Sequence, residues 1–288
     1  MSVGLAYPRL PNRGPLHRPR GVGLPLLAVL VCSVIAFPFY WMVISSLQPT
    51  GLFTWPPNLV PRTISFDSYV HMFALRPIGR WLANTALVSI GTTLLSLVIS
   101  INAALSLSRF RTRQNATVGV VVLGTQMLPA TLLVVPVYVI FRSLGLLDSL
   151  AGLALSNTAF VLPLSIWLLK GFFDSIPFEI EEAALVDGCN RLQAFYRVVV
   201  PLAVPGVLVS AVYAFLLSWD EFFFARTFIN SETRWVLSVG LSSFVGEHTV
   251  EWNEMMAAAV VFSIPPTLLF FLVQRYFVQG VAGGAVKG

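Results

Sequence analysis

Charged residues are scarce in this sequence. Lys, Arg, Asp and Glu together make up 11% of its 288 residues, whereas soluble domains average about 25%. Apolar residues account for 56%, and the mean hydropathy is +0.80. This balance excludes an ordinary soluble domain and predicts an integral membrane protein, in which one crossing uses about 20 residues.

Cysteine, histidine and lysine are also rare, and each scarcity argues against a class of function. The two cysteines, Cys32 and Cys189, provide no disulfide framework. The three histidines lie far apart in sequence without metal-ligand spacing, so we predict no bound metal. No HExxH, CxxC or GxSxG string indicates a membrane enzyme. Neither Lys170 nor Lys287 follows a glycine, so the sequence contains no P-loop for ATP.

The charges that are present also limit the possible partners. The formal net charge of +5 comes from basic residues scattered at the ends of apolar runs, with no basic face that would indicate nucleic acid. No Asp, Glu, Lys or Arg lies deep inside an apolar run. Ion-coupled secondary transporters usually need such buried charges, so that class is disfavoured.

Six apolar stretches are long enough to cross a membrane as helices. They are Val22–Ser46, Leu82–Ser108, Gln114–Phe141, Ser149–Leu169, Val198–Trp219 and Met255–Gln274. An even number of spans places both termini on one side. The connections on that side carry about twice as many Lys and Arg residues as those on the other, which predicts that both termini are cytoplasmic.

The predicted domain organisation is therefore simple. Residues 1–21 form a Pro- and Arg-rich head, which we expect to be disordered and cytoplasmic. Residues 22–288 form one six-helix transmembrane domain. Prolines inside its spans are consistent with ordinary kinks or with hinges in a bundle that opens and closes.

One amphipathic segment, Ser175–Pro201, separates the fourth predicted span from the fifth on the cytoplasmic side. We predict two short helices here. Ser175 would cap the first, Gly188 would end it in a left-handed turn, and Asn190 would begin the second. The segment either lies on the lipid surface or docks into a partner. Its acidic residues favour docking, because interfacial helices are typically rich in Lys and Arg.

The spacing within this segment carries a resemblance to a known family. Glu182-Ala183-Ala184, then Gly188, then Val198 to Pro201 is similar to the EAA motif of binding-protein-dependent ABC importer permeases, although that motif usually closes on Ile-x-Leu-Pro. We call residues 174–201 the EAA loop. Further similarity to the carbohydrate-uptake branch, and to its MalG-like second permease, covers most of residues 44–288. It is carried by Trp81–Thr85, Leu128–Tyr138, Gly145–Ser149, Trp219–Phe222 and Gly283–Gly288.

The resemblance implies a fold, a set of partners and a set of functional residues. The fold would be all-α and polytopic, the type I ABC importer permease fold, in the bacterial inner membrane. The partners would be a second, MalF-like permease, two ATPase subunits that bind ATP and Mg, an extracytoplasmic binding protein and a sugar. This chain would bind no cofactor itself. The residues expected to couple it to the ATPase are Phe178, Glu182, Ala183, Ala184, Leu185, Asp187 and Gly188.

Two further sets of residues are candidates for contact with substrate and with the binding protein. Gln126, Asn157 and Trp219 would line the substrate path or pack between helices. The acidic segment from Asp220 to Glu254 is predicted to touch the binding protein through Asp220, Glu221 and Glu247. A maltose- or trehalose-like oligosaccharide is the first expected substrate, and glycerol 3-phosphate or a glycerophosphodiester is the alternative.

Overall fold

The computed structural model describes residues 23–49, 60, 63–110, 112–246 and 250–285, without the side chains of residues 24 and 275–285. Within these ranges nearly every ordered element is helical, and Val245 and Val250 form an isolated antiparallel bridge. The all-α expectation is confirmed. The α-helices are α1 (Gly23–Ser46), α2 (Asp67–Leu75), α3 (Ile78–Arg109), α4 (Arg113–Gly124), α5 (Ala130–Ser143), α6 (Leu150–Asp174), α7 (Phe178–Val186), α8 (Arg191–Ala194), α9 (Val200–Leu202), α10 (Val204–Trp219), α11 (Phe223–Phe228), α12 (Leu237–Ser242) and α13 (Trp252–Ala285).

The chain divides into two compact units, residues 1–41 and residues 42–288. The described part of the first unit is residues 23–41, which form most of α1, and there Phe37 and Trp41 stack with ring centroids 6.4 Å apart. The second unit contains the remaining helices. The predicted head, residues 1–21, lies outside the described residues, so its boundary stays a prediction.

Four described helices are long and apolar enough to span a membrane: Pro25–Ser46, Ile78–Arg109, Leu150–Asp174 and Trp252–Gln274. A helix suits this environment because it satisfies its backbone hydrogen bonds within itself, where lipid offers no partner. These helices correspond to the first, second, fourth and sixth predicted spans.

The third and fifth predicted spans are broken in the structure. Arg113–Met127 meets Ala130–Ser143 at 102°, and Arg191–Leu202 meets Val204–Trp219 at 75°. The first break precedes Pro129, which disfavours helical geometry at the preceding residue, and Leu128 is accordingly extended. Counting each bent pair as one span gives up to six spans among the described residues. The breaks lie next to Pro129 and Pro205, two of the prolines at which the sequence allowed a kink or a hinge.

The core of the second unit forms where α3, α6 and α10 pack together. The buried face of α3 carries small polar residues, including Ser89, Thr92, Ser96 and Ser100. Small side chains let membrane helices approach closely. Thr92 Oγ1 donates a hydrogen bond to the Ala154 carbonyl of α6 at 3.2 Å, which adds a polar tie between the two helices.

The 220–254 segment is folded back onto the start of α3. Trp81 Nε1 donates to the Glu232 carbonyl at 3.0 Å, and Asn84 Nδ2 donates to the Trp235 carbonyl at 2.8 Å. Thr85 Oγ1 accepts from the Leu237 amide at 2.8 Å. The Trp81–Thr85 motif therefore anchors this segment, which the sequence had indicated only as a loop.

A close approach between α10 and α6 generates a stability prediction. A Cβ added to Gly206 would lie 2.3 Å from Phe172 Cγ, whereas one added to Gly171, also within a helix, would meet no atom within 4 Å. We expect Gly206→Ala to destabilise the protein by about 1–3 kcal/mol through overpacking. Thermal denaturation of the detergent-purified protein should show a lower Tm for this variant. Gly171→Ala is the control, and equal Tm values for the two variants would contradict the packing argument.

Candidate functional site

The EAA loop begins where α6 ends. Ser175 still has helical backbone angles, and its hydroxyl donates to the Phe172 carbonyl at 2.7 Å. Pro177 occupies the position before α7, without a side-chain cap. The predicted cap by Ser175 is therefore wrong, because its hydroxyl bonds a carbonyl at the end of the preceding helix instead.

The turn after α7 matches the sequence prediction. Gly188 has φ +91°, and the amide of Cys189 donates to the Ala184 carbonyl at 3.0 Å. The α7 helix therefore ends at a residue in the left-handed backbone conformation, which glycine adopts without a Cβ penalty. Asn190 then begins the next helix, and its side chain and that of Gln193 each accept a hydrogen bond from the other's amide, at 2.9 and 3.0 Å.

Most of the predicted coupling residues lie on the exposed side of α7. Glu182 and Ala183 are exposed, and neighbouring Val186 is 88% exposed. Ala184 instead faces the protein and is 7% exposed. The helix thus presents an acidic and apolar surface that the described chain does not cover. The remaining exposed candidates are Phe178, Leu185, Asp187 and Gly188.

Beneath α7 lies an ion pair that sequence reasoning missed. Arg109, the last residue of α3, places Nε 2.8 Å from Glu181 Oε2. Its guanidinium lies over the Phe178 ring at 4.6 Å, and Nη1 donates to the Phe173 carbonyl at 3.1 Å. A cleft of about 250 Å³ adjoins this pair. In the sequence, Arg109 had only indicated topology, because nothing in its position pairs it with an acid 72 residues later.

A second cavity, of about 300 Å³, lies between α6 and α10 towards their other ends and is mostly apolar. Its lining includes Ala130, Asn157, Phe160, Ser218, Asp220 and Phe222. Asn157 Nδ2 donates to Ser218 Oγ at 3.0 Å, and Ser218 Oγ donates to Thr92 Oγ1 at 3.1 Å. Asn157 Oδ1 is buried and has no hydrogen-bond partner among the described residues. One amide oxygen of this lining residue is therefore unpaired among the described residues.

The other two path candidates are placed differently. Trp219 is fully buried, and its Nε1 donates to the Phe262 carbonyl at 3.1 Å while its ring stacks on Phe262. Its side chain serves the packing of α10 against α13. Gln126 is exposed and donates through Nε2 to the Phe160 carbonyl at 2.9 Å. Of the three predicted path residues, Asn157 lines the cavity, and Gln126 bonds the carbonyl of Phe160, another lining residue.

The acids predicted to meet a binding protein also differ in placement. Glu221 is partly buried, and its carboxylate accepts hydrogen bonds from the Phe224 and Ala225 amides at 2.7 and 2.9 Å. It therefore caps α11, and burial raises its pKa although these amides oppose the rise. Asp220 is exposed at the cavity rim. Glu247 lies outside the described residues.

The 220–254 segment is further held by Asp148, in the turn between α5 and α6. Asp148 Oδ1 accepts from the Ser231 amide at 2.9 Å, and Oδ2 accepts from Ser231 Oγ at 2.6 Å and from Arg234 Nη1 at 2.8 Å. The hydrogen bonds from Ser231 lower the pKa of Asp148. This contact fixes the turn against the segment.

Comparison with known proteins identifies the family to which this bundle of apolar helices belongs. Residues 96–283 match the family described as the inner membrane component of binding-protein-dependent transport systems. The chain belongs to this family, which confirms the resemblance to ABC importer permeases and a multi-pass inner-membrane location.

Individual relatives and a solved structure agree with this assignment. The chain is 34% identical to the sulfoquinovosyl glycerol transport permease SmoH of Agrobacterium fabrum, over 88% of this chain and 89% of that protein. It is 30% identical to the trehalose/maltose permease MalG of Thermococcus litoralis, over 91% and 95%. A bacterial ABC transporter that imports the acidic polysaccharide alginate superposes with a TM-score of 0.77 at 25% identity, over 89% and 96%. The fold is that of an ABC importer permease.

The Asp148 contact generates a pH prediction. Because its folded pKa is lowered, its contribution is complete above the ordinary Asp pKa of about 3.9 and is lost as the pH falls through the lowered value. The Asn230 amide also donates to Asp148 Oδ1, at 3.1 Å. We expect Asp148→Asn to speed hydrogen exchange at the Asn230 and Ser231 amides at neutral pH. In the parent, the same loss of protection should occur only in acid. Glu232→Gln, at an exposed acid of the same segment, is the control, and unchanged protection in Asp148→Asn would refute the prediction.

Proposed function

We propose that this chain is the MalG-like permease subunit of an ATP-driven importer for a sugar. It would form half of the translocation path and receive the force of ATP hydrolysis through the EAA loop. The observation that carries the proposal is the exposed α7, with its Glu182-Ala183-Ala184 sequence ended by a left-handed Gly188. The sugar class is supported by the transport names of relatives such as MalG.

The energy for transport would come from partners. The sequence contains no Gly-Lys pair of a P-loop, so two ATPase subunits would bind ATP and Mg. A second, MalF-like permease would complete the path, and an extracytoplasmic binding protein would deliver the substrate. In this arrangement both termini and the EAA loop are cytoplasmic, as the distribution of Lys and Arg indicates.

The geometry of the EAA loop suits rigid transmission of movement. The α7 helix is short, its end is fixed by Gly188, and the Asn190–Gln193 capping box immediately restarts the chain. The exposed Glu182 would pair with a basic group of the ATPase, and Ala183 would allow close approach. Movement of α7 would then shift α6 and α10, to which it is joined along the chain.

The cavity beside Asn157 is proposed as part of the substrate path. Asn157 Oδ1 is a buried acceptor without a partner among the described residues, and a sugar hydroxyl is a matching donor. The residues described as lining this cavity include Asp220 and Glu221 and no Lys or Arg. That charge distribution favours a neutral maltose- or trehalose-like sugar over a glycerol phosphate, which would need a cationic partner.

The role of the EAA loop is tested by two matched glycines. Gly188 and Gly145 both have positive φ, and neither has an atom within 4 Å of an added Cβ. A substitution to Asp imposes similar backbone strain, about 1–2 kcal/mol, at either site. We expect Gly188→Asp to assemble into the complex but to lower sugar uptake about tenfold or more, because the turn docks into the ATPase. Uptake by proteoliposomes containing the whole complex is the measurement.

Gly145→Asp, at the opposite end of the bundle, is the control and should retain parental uptake. Parental uptake by Gly188→Asp, or an equal loss in both variants, would be incompatible with the proposed coupling role.

The proposed path is tested with two variants that affect different atoms of the Asn157 amide. Asn157→Leu removes the unpaired Oδ1, whereas Ser218→Ala removes only the partner of Nδ2. Loss of one hydrogen bond to substrate should slow uptake about fivefold at saturating loaded binding protein. Ser218→Ala should slow uptake less than Asn157→Leu does, because it leaves Asn157 Oδ1 in place. Equal rates for Asn157→Leu and the parent would exclude Asn157 from the path.

A further inference from the structure

We propose that Arg109 is a positioning residue that fastens α7 to the end of α3. Through it, movement of the EAA loop would be passed directly to α3, a helix not joined to the loop along the chain. The inference rests on the proposed coupling function and adds a third helix to the route by which force enters the bundle.

The contacts of Arg109 join three elements. Its side chain leaves the last residue of α3 and reaches Glu181 in the first turn of α7, with Nε 2.8 Å from Oε2. Its Nη1 donates to the carbonyl of Phe173 near the end of α6, at 3.1 Å. Its guanidinium also covers the ring of Phe178, the first residue of α7, at 4.6 Å. One planar group therefore holds the ends of α3 and α6 against the start of α7.

Burial protects the ion pair between Arg109 and Glu181 from competition by water. The Arg109 side chain is 5% exposed and that of Glu181 is 15% exposed. If α7 moved away from α3 without it, two opposite charges would be left unpaired in a poorly solvated place, which is strongly unfavourable. By contrast, the Lys170–Asp174 pair at the same end of the bundle is more exposed and lies within one helix, α6.

The two adjacent acids of α7 therefore point to different partners. Glu182, the first residue of the EAA motif, is exposed and free to meet another subunit. Glu181 faces the protein and meets Arg109. Because neighbouring residues on a helix project about 100° apart, one short helix can dock outwards and be fastened inwards at the same time. This division is what a transmitting element requires.

The middle of α3 contacts a residue that lines the proposed substrate path. Thr92 lies in the middle of α3 and accepts a hydrogen bond from Ser218, which in turn accepts one from Asn157 in the cavity wall. A displacement of α3 along its axis would thus move a group that helps to hold Asn157. The contacts form a continuous route from α7 through Arg109 and α3 to the cavity.

The test uses the whole complex of both permeases, the ATPases and the binding protein in proteoliposomes. Arg109→Gln and Glu181→Gln each remove one charge of the pair, and the double variant Arg109→Glu/Glu181→Arg restores it in reverse. Glu179→Gln, at an exposed acid of the same helix, is the control. The measurements are the amount of assembled complex, ATP hydrolysis stimulated by loaded binding protein, and sugar imported per ATP hydrolysed.

We expect both single variants to assemble and to hydrolyse ATP. Sugar imported per ATP should fall about tenfold, because the free energy lost when a buried ion pair is broken exceeds the free energy that corresponds to a tenfold change. The charge reversal should recover part of that loss, because it restores the ion pair but not the hydrogen bond to the Phe173 carbonyl, and Glu179→Gln should match the parent. A purely structural role would instead lower hydrolysis and import together with the amount of complex.

Three results would overturn the proposal. They are parental import per ATP in both single variants, a charge reversal that assembles without recovery, and loss of assembly in the nearly isosteric Glu181→Gln. Gly188→Asp separates this inference from the coupling role itself. If Gly188→Asp uncouples import and Arg109→Gln does not, only the attachment to α3 is wrong.

Discussion

The lack of hydrogen-bond partners in lipid is the constraint on which the rest of this structure depends. A spanning backbone must satisfy its own polar groups, so the long crossings are helices. At each interruption, the freed backbone groups need other hydrogen-bond partners nearby. The interruptions fall before Pro129 and at Ala203, just ahead of Pro205. The cavity beside Asn157 includes Ala130, the first residue after one of these breaks. The first of these bends therefore borders the cavity.

Buried polar groups within the bundle serve distinct purposes. Ser89, Ser96 and Ser100 lie buried on α3, where their small volume admits the neighbouring helices. Thr92 and Ser218 join α3 to α10 and leave one amide oxygen of Asn157 unused. The strongly charged contact, between Arg109 and Glu181, lies at the end of the bundle, where a charge is less costly than at mid-membrane depth.

What the sequence could predict was set by local chemistry. Gly188 and Asn190 were predictable because a left-handed turn and a helix cap each depend on residues within four positions. The breaks before Pro129 and near Pro205 were not, because proline is equally compatible with a kinked helix, as Pro163 within α6 shows. The pairing of Arg109 with Glu181 depends on how α3 and α7 pack. No spacing rule joins residues so far apart in sequence.

The attachment of the 220–254 segment to α3 has a consequence for how such permeases diversify. The bonds from Trp81 and Asn84 end on main-chain oxygens of Glu232, Thr233 and Trp235. Any amino acid supplies that oxygen, so these bonds place no demand on the identity of the side chains at 232 and 233, which are exposed. The exposed surface of this segment can therefore change its chemistry over evolution while the scaffold that supports it stays the same.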